Sequence, residues 1–171
     1  IYHITSRGNR RSELFKEKDD YKVYISIIRR TNKRYNFKIF TYCLMTNHIH
    51  LQIQTGEEEI WKIMRRINLH YAKYFNNKYD FVGNLFQGRY KSNIIENDHY
   101  NLLTSRYIHL NPVRARVVKN PLDYKWSSYG YYLGQKSSKI VDESQILSYF
   151  KDSNNGKNKR KLYKEYVELG M

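Results

Sequence analysis

Lys38-Ile39-Phe40-Thr41-Tyr42-Cys43-Leu44-Met45-Thr46-Asn47-His48-Ile49-His50-Leu51-Gln52-Ile53-Gln54-Thr55 is the stretch that decides the fold. Lys38 to Met45 is rich in β-formers, with Ile39, Phe40 and Tyr42, and reads as a strand. Thr46-Asn47 supplies a tight turn, and His48 to Thr55 alternates as the returning strand of an antiparallel hairpin. Residues i and i+2 of a strand project from one face. His48 and His50 therefore point one way while Ile49 points into the opposite layer.

The flanking chain says what kind of sheet the hairpin enters. Ile1 to Ser6 alternates loosely as a strand and runs into the basic loop Arg7-Gly8-Asn9-Arg10-Arg11. Between them and the hairpin, Asp19 to Arg34 carries Tyr21, Tyr24, Ile25 and Ile28 at helical spacing. After the hairpin, Gly56 breaks the strand, and Glu57 to Glu59 suit a helix start that runs to about Asn76. A loop from Asp80 to Gly88 leads to a fourth strand near Arg89 to Glu96. Asn97 or Asp98 caps a third helix that Pro112 is expected to end shortly after Asn111. The order β-α-β-β-α-β-α makes an α+β fold whose first six elements form a ferredoxin-like split βαβ domain. Its antiparallel sheet has helices packed on one face.

Beyond Pro121 the periodicity weakens. Trp126 and the tyrosines of 129 to 132 read as a segment packed back on the domain, Asp142 to Phe150 as a short helix, and Leu162 to Leu169 as a final helix. Asp152 to Lys161 reads as a polar linker whose Lys157 to Lys161 end is a solvated basic run. The expected division is residues 1–130 as the functional domain and residues 131–171 as a mostly helical C-terminal extension.

Composition sets outer bounds. A chain of 171 residues suits one domain, and 31 Lys and Arg against 16 Asp and Glu leave a formal charge of +15, which points to a polyanionic partner. The competing reading of that charge, and of the 18 tyrosines, is codon bias together with aromatic packing of the core. No window approaches eighteen consecutive apolar residues, so no membrane helix is expected. The single Cys43 excludes an intramolecular disulfide and a cysteine-based zinc site, and is compatible with a reducing cytoplasm. The chain starts at Ile1, so we expect the native start to lie upstream.

Two clusters can carry chemistry. Two imidazoles on one strand face, His48 and His50, can hold one divalent cation given a third ligand; alone they more often pack or hydrogen-bond. Tyr107 and Asn111, four apart on the third helix, share a face, and Asn offers a carbonyl oxygen suited to Mg²⁺ or Mn²⁺. His109 lies about 200° around that helix from Tyr107 and reads as structural or solvent-facing.

Together these segments resemble a family. Tyr42-Cys43-Leu44-Met45-Thr46-Asn47-His48-Ile49-His50-Leu51 is similar to the HUH motif (histidine, bulky apolar residue, histidine) of single-tyrosine transposases. Ser6-Arg7-Gly8-Asn9-Arg10-Arg11, Phe86-Gln87-Gly88-Arg89-Tyr90-Lys91 and Arg106-Tyr107-Ile108-His109-Leu110-Asn111-Pro112-Val113-Arg114 resemble further blocks of the REP-associated tyrosine transposases. The blocks stand in family order across roughly three quarters of the chain. The resemblance implies Tyr107 as nucleophile, with Tyr100 one heptad earlier as its rival. It also implies a divalent metal, Mg²⁺ or Mn²⁺, on His48, His50 and Asn111, where other transposases of the superfamily carry the longer glutamine.

The implied activity is metal-dependent cleavage and rejoining of single-stranded or hairpin DNA through a 5′-phosphotyrosine link, by a monomer or homodimer in the bacterial cytoplasm at the nucleoid. Arg7, Arg10, Arg11, Arg89, Lys91, Arg114 and Arg116 are candidates to track phosphates, and Tyr90 to stack on unpaired bases; each is equally readable as a solvated face. The alternative is a binding module that keeps the hairpin surface and no longer cuts. A two-histidine RNA phosphodiesterase is disfavoured, because the chain holds one His-x-His and no pair of His-x-Thr/Ser motifs.

Overall fold

The hairpin of the opening stretch forms as strands β2 (Lys38–Met45) and β3 (His48–Gln54), with the turn at Thr46-Asn47. In the computed structural model, which describes residues 1–136, 140–151 and 158–171, it is joined by β1 (Tyr2–Arg7) and the short β4 (Lys91–Ile94). The sheet order is β2-β3-β1-β4 with every neighbouring pair antiparallel. Helix α1 (Lys18–Tyr35) crosses from β1 to β2, and α2 (Ile60–Tyr79) from β3 to β4. Each ends on a left-handed residue, Asn36 at φ 44° and Asp80 at φ 47°, whose N–H still closes the last turn. Among the described residues no helix is long and apolar enough to cross a membrane.

Strand alternation sorts the two faces. Ile49, Leu51 and Ile53 of β3 join Tyr24, Ile28, Ile63, Met64, Ile67 and Tyr71 of α1 and α2 in one buried cluster. The even-numbered residues His48, His50 and Gln52 face the other way, where helix α3 (Asp98–Arg114) lies across the sheet. Helix α3 ends at Arg114, shortly after Asn111 as expected, two residues beyond Pro112. Pro112 sits in the last turn, where it removes only its own N–H, and Ala115 N–H still reaches Asn111 C=O at 2.9 Å. Helix α2 runs past Asn76 to Tyr79.

Although β2 is an edge strand, it is buried from Ile39 onward. The C-terminal chain covers it: Leu44 N–H donates to Trp126 C=O (2.9 Å), Ser128 N–H to Tyr42 C=O (3.0 Å) and Asp142 N–H to Ile39 C=O (2.8 Å). The exposed row of backbone groups that invites edge pairing is thereby closed. The short helices α4 (Tyr129–Tyr132) and α5 (Ser144–Ser148) and the terminal α6 (Lys159–Glu168) complete the layer over α3. Residues 152–157 of the expected linker lie outside the described residues, and α6 begins ahead of the predicted Leu162.

The tyrosine surplus is largely spent on packing. Tyr24, Tyr71, Tyr129, Tyr132 and Tyr163 are fully buried, and Tyr21 stacks flat on Trp126 at 4.4 Å. The Tyr71 and Tyr132 hydroxyls donate to Leu14 C=O and Phe40 C=O, while those of Tyr24 and Tyr129 are buried without a hydrogen-bond partner among the described residues.

Candidate active site

The register of β1 on β3 builds the site. Arg7 pairs with His48, Thr5 with His50 and His3 with Gln52, so these six side chains share the face that α3 covers. β4 adds Lys91 opposite Thr5 and Asn93 opposite His3. Helix α3 is seated on this face at two points. Gln52 Nε2 donates to Asn101 C=O (2.9 Å) while its Oε1 accepts from Thr41 Oγ1 (2.6 Å). Ten residues along, Asn111 lies between the two histidines, its Oδ1 3.1 Å from His48 Nε2 and its Nδ2 3.1 Å from His50 Nε2. Tyr107, one turn before Asn111, sets its ring edge-on to that of His50 at 5.6 Å. It is 39% exposed, enough to meet a ligand.

On its other side α3 is anchored by His109, which is fully buried and bonded to Tyr163 Oη and Ser128 Oγ at 2.7 Å each. Of the two readings its spacing allowed, the structural one holds. The alternative nucleophile Tyr100 borders the same cleft as Tyr107. That cleft, about 530 Å³, runs between β1, β4 and α3 and is lined by His3, Thr5, Arg7, His50, Lys91 and Asn93 from the sheet.

The histidines are held neutral. Burial drives His50 down to about 3, with the nearby His3, His48 and Arg7 adding to the effect. Burial also lowers His48, against a bond to Asn111 that works the other way, and lowers His3. Neutral imidazole is the form that ligates a cation.

The donor set fits such a cation in a specific way. His48 lies between two amide oxygens, Asn47 Oδ1 at 2.7 Å from Nδ1 and Asn111 Oδ1 at 3.1 Å from Nε2. A neutral ring has one N–H, and the shorter contact takes it. The Nε2 lone pair is then on the side of the Asn111 oxygen. Two adjacent ligands of an octahedral ion with bonds of about 2.1 Å stand about 3.0 Å apart, close to this Nε2–Oδ1 separation. Among the described residues no three His, Cys, Asp or Glu side chains gather as a metal-binding group.

The basic candidates separate. Arg7 and Lys91 border the cleft, and the Arg114 guanidinium lies over the Tyr107 ring at 5.1 Å. Arg10 and Arg11 are exposed in a tight turn with left-handed backbone (φ 52° and 61°), and Arg116 (φ 57°) is exposed just after α3. Arg89 borders a different groove, with Asn68, Lys73 and Phe86, and Tyr90 is half-buried against the core. Sequence reading missed His3, Thr5, Asn93 and Asn47. Alternation in β1 groups His3, Thr5 and Arg7, but which strand they lie beside is set by tertiary pairing.

Residues 1–111 match the family model described as IS200-like transposase. A solved complex, a REP-associated tyrosine transposase bound to a REP hairpin, superposes with a TM-score of 0.68 at 20% identity, covering 84% of this chain and 88% of that one. This likeness establishes the fold. A candidate transposase from Deinococcus radiodurans R1, solved at 1.90 Å, gives a TM-score of 0.47 at 13% identity over 80% of this chain and 91% of that one. No curated protein matches the chain.

Proposed function

The chain belongs to the family of IS200-like transposases, and we propose that it cleaves and rejoins single-stranded DNA at hairpin-forming sites through a covalent 5′-phosphotyrosine link. The observation that carries this reading is the meeting, at the mouth of one cleft, of an exposed tyrosine with two neutral imidazoles and an amide oxygen. Tyr107 is the nucleophile. It lies edge-on to both His3 and His50, a contact Tyr100 lacks among the described residues.

A phenol with an ordinary pKa of about 10 is a weak nucleophile at neutral pH and needs nearby positive charge. Arg114 over its ring and Arg7 at the cleft edge supply it. Tyr107 Oη attacks phosphorus, the P–O3′ bond breaks, the phenol proton passes to solvent and the departing oxygen is protonated to a 3′-hydroxyl. One phosphate ester replaces another, so the 3′-hydroxyl can attack the tyrosyl link in turn and restore the phosphodiester without a nucleotide cofactor. His48, His50 and Asn111 are the residues that would hold Mg²⁺ or Mn²⁺, whose chemistry is to polarise the scissile phosphate. Arg7 and Lys91 hold the strand by its phosphates from the sheet side of the cleft. Arg10, Arg11 and Arg116 extend that path, while Arg89 and Tyr90 would meet DNA beyond the cleft.

The solved relative holds a REP hairpin, so hairpin-bearing single strands are the first substrates to try. Incubation with such oligonucleotides and Mn²⁺ should yield a covalent protein–DNA adduct on a denaturing gel. Tyr107→Phe should abolish the adduct while keeping DNA affinity within about twofold. An adduct on Tyr107→Phe refutes the nucleophile assignment. Hairpin binding by the wild type with no adduct in Mg²⁺ or Mn²⁺ turns the reading to a non-cleaving binding module. Undiminished cleavage by His48→Ala in the presence of a chelator refutes the metal set.

A further inference from the structure

The sheet face that carries His48 and His50 carries a third imidazole that the proposed chemistry leaves unused. His3 sits on β1, two pairs along from the Thr5–His50 pair, and its Nε2 lies 3.0 Å from His50 Nδ1. The two rings stack at 5.3 Å with 27° between their planes, and the Tyr107 ring stands edge-on to His3 at 5.9 Å. His3 thus touches both a proposed ligand and the proposed nucleophile.

The proton count on His50 gives this contact a task. The His50 Nε2 atom accepts from Asn111 Nδ2 at 3.1 Å, so it is unprotonated and its lone pair faces the side chain proposed as third ligand. A neutral ring with a free Nε2 must carry its proton on Nδ1, and that proton needs an acceptor. Two are within reach: His3 Nε2 at 3.0 Å and Thr5 Oγ1 at 3.3 Å. The imidazole nitrogen is the nearer. An acceptor on the far nitrogen is how ligating histidines are oriented and their tautomer fixed, and losing such a partner typically costs 10- to 100-fold in metal affinity.

We infer that His3 is a positioning residue: it accepts the Nδ1–H of His50, fixing the tautomer whose unprotonated Nε2 is able to ligate the divalent ion. This rests on the metal reading proposed above. His3 touches no reacting atom in this role; it acts through His50.

Calorimetric titration of the full chain with Mn²⁺, without DNA, tests it through two opposed substitutions. His3→Phe keeps an aromatic ring for the stack and removes the acceptor; His3→Gln loses the ring and offers an amide oxygen near the position of Nε2. The inference expects His3→Phe to weaken Mn²⁺ binding tenfold or more and His3→Gln to stay within about threefold of wild type. Thr5→Val should change little. The opposite ranking, with His3→Phe binding like wild type, overturns it in favour of simple ring packing. Should His3→Phe fail to fold, long-range ¹H–¹⁵N spectra of the wild-type histidines decide: His50 protonated on Nδ1 supports the inference, and on Nε2 refutes it. A wild type that binds no Mn²⁺ removes the metal reading itself, an outcome distinct from binding that is indifferent to His3.

Discussion

Replacing Asp20 by asparagine should destabilise the protein by about 3 kcal/mol at neutral pH, and part of that loss should vanish in acid. Asp20, in the first turn of α1, is fully enclosed. Its Oδ1 accepts from Lys78 Nζ (2.8 Å) and Tyr74 Oη (2.9 Å); its Oδ2 accepts from Tyr79 Oη (2.8 Å) and from the backbone N–H groups of Lys16 (2.8 Å) and Glu17 (3.0 Å). One carboxylate therefore pins the start of α1 to the end of α2. Burial by itself would raise its pKa, but the hydrogen bonds from Lys78, Tyr79 and the two backbone amides outweigh it and hold the group at about 2.

Against the ordinary 3.8, that depression corresponds to roughly 2.4 kcal/mol of stability. Because the folded-state value is the lower one, the contribution is complete above 3.8 and is lost as pH falls toward 2. At pH 3 about 1 kcal/mol of it is already gone. Asparagine has one acceptor oxygen, so its NH₂ must face Lys78 and Tyr74 or the backbone donors. Donors left facing that NH₂ add to the cost, although Lys78 keeps Glu17 as a partner, bringing the total to about 3 kcal/mol at pH 7. Urea denaturation followed by circular dichroism at pH 7 and pH 3 measures both effects. The gap between wild type and Asp20→Asn should narrow by about 1 kcal/mol on acidification, since other titrating groups are common to both proteins and cancel. A gap that stays constant, or a variant as stable as wild type at pH 7, refutes the clamp.

Three further outcomes follow from other sites. Gly8→Ala would place a Cβ 2.0 Å from the Ser12 carbonyl oxygen, so it should cost more than about 2 kcal/mol in thermal or urea melts; a melt unchanged from wild type would show that the turn bearing Arg10 and Arg11 can shift freely. Arg7→Ala and Lys91→Ala should each flatten the dependence of log affinity on log salt by roughly 0.7 for a single-stranded oligonucleotide, measured by fluorescence anisotropy between low and moderate salt. An unaltered slope would place the strand outside the cleft. Cys43 is fully buried, and burial pushes its thiol far above the ordinary range. Alkylation by iodoacetamide should therefore be slower by orders of magnitude in the folded protein than in 6 M urea, and rapid native labelling would contradict the packing of α3 on β2.

Spacing along the chain set much of this protein. The run from Lys38 to Thr55 dictates a hairpin, because β-formers flank a two-residue turn and period-two alternation puts His48 and His50 on one face. Helical spacing in α1 and α2 made the split βαβ order legible, and i,i+4 spacing placed Tyr107 and Asn111 on one side of α3. These are local rules, carried by bonds within a few residues. The stop near Pro112 was legible too: the helix, held by contacts to β2 and α6, ends two residues beyond it.

The tertiary structure decided what local spacing could not. Nothing near His3 in the chain says that it will stand 3.0 Å from His50; that follows from β1 pairing with β3 across 47 residues. The same register brings Arg7 to the cleft, while the path of the chain after α2 sends Arg89 to another groove. It is the buried Gln52–Asn101 contact, between residues 49 apart in sequence, that helps set α3 so Asn111 meets the histidines. Residue types and their periods specify which side chains share a face. Only long-range pairing, whose energy comes from burying both faces of one sheet at once, decides which faces meet.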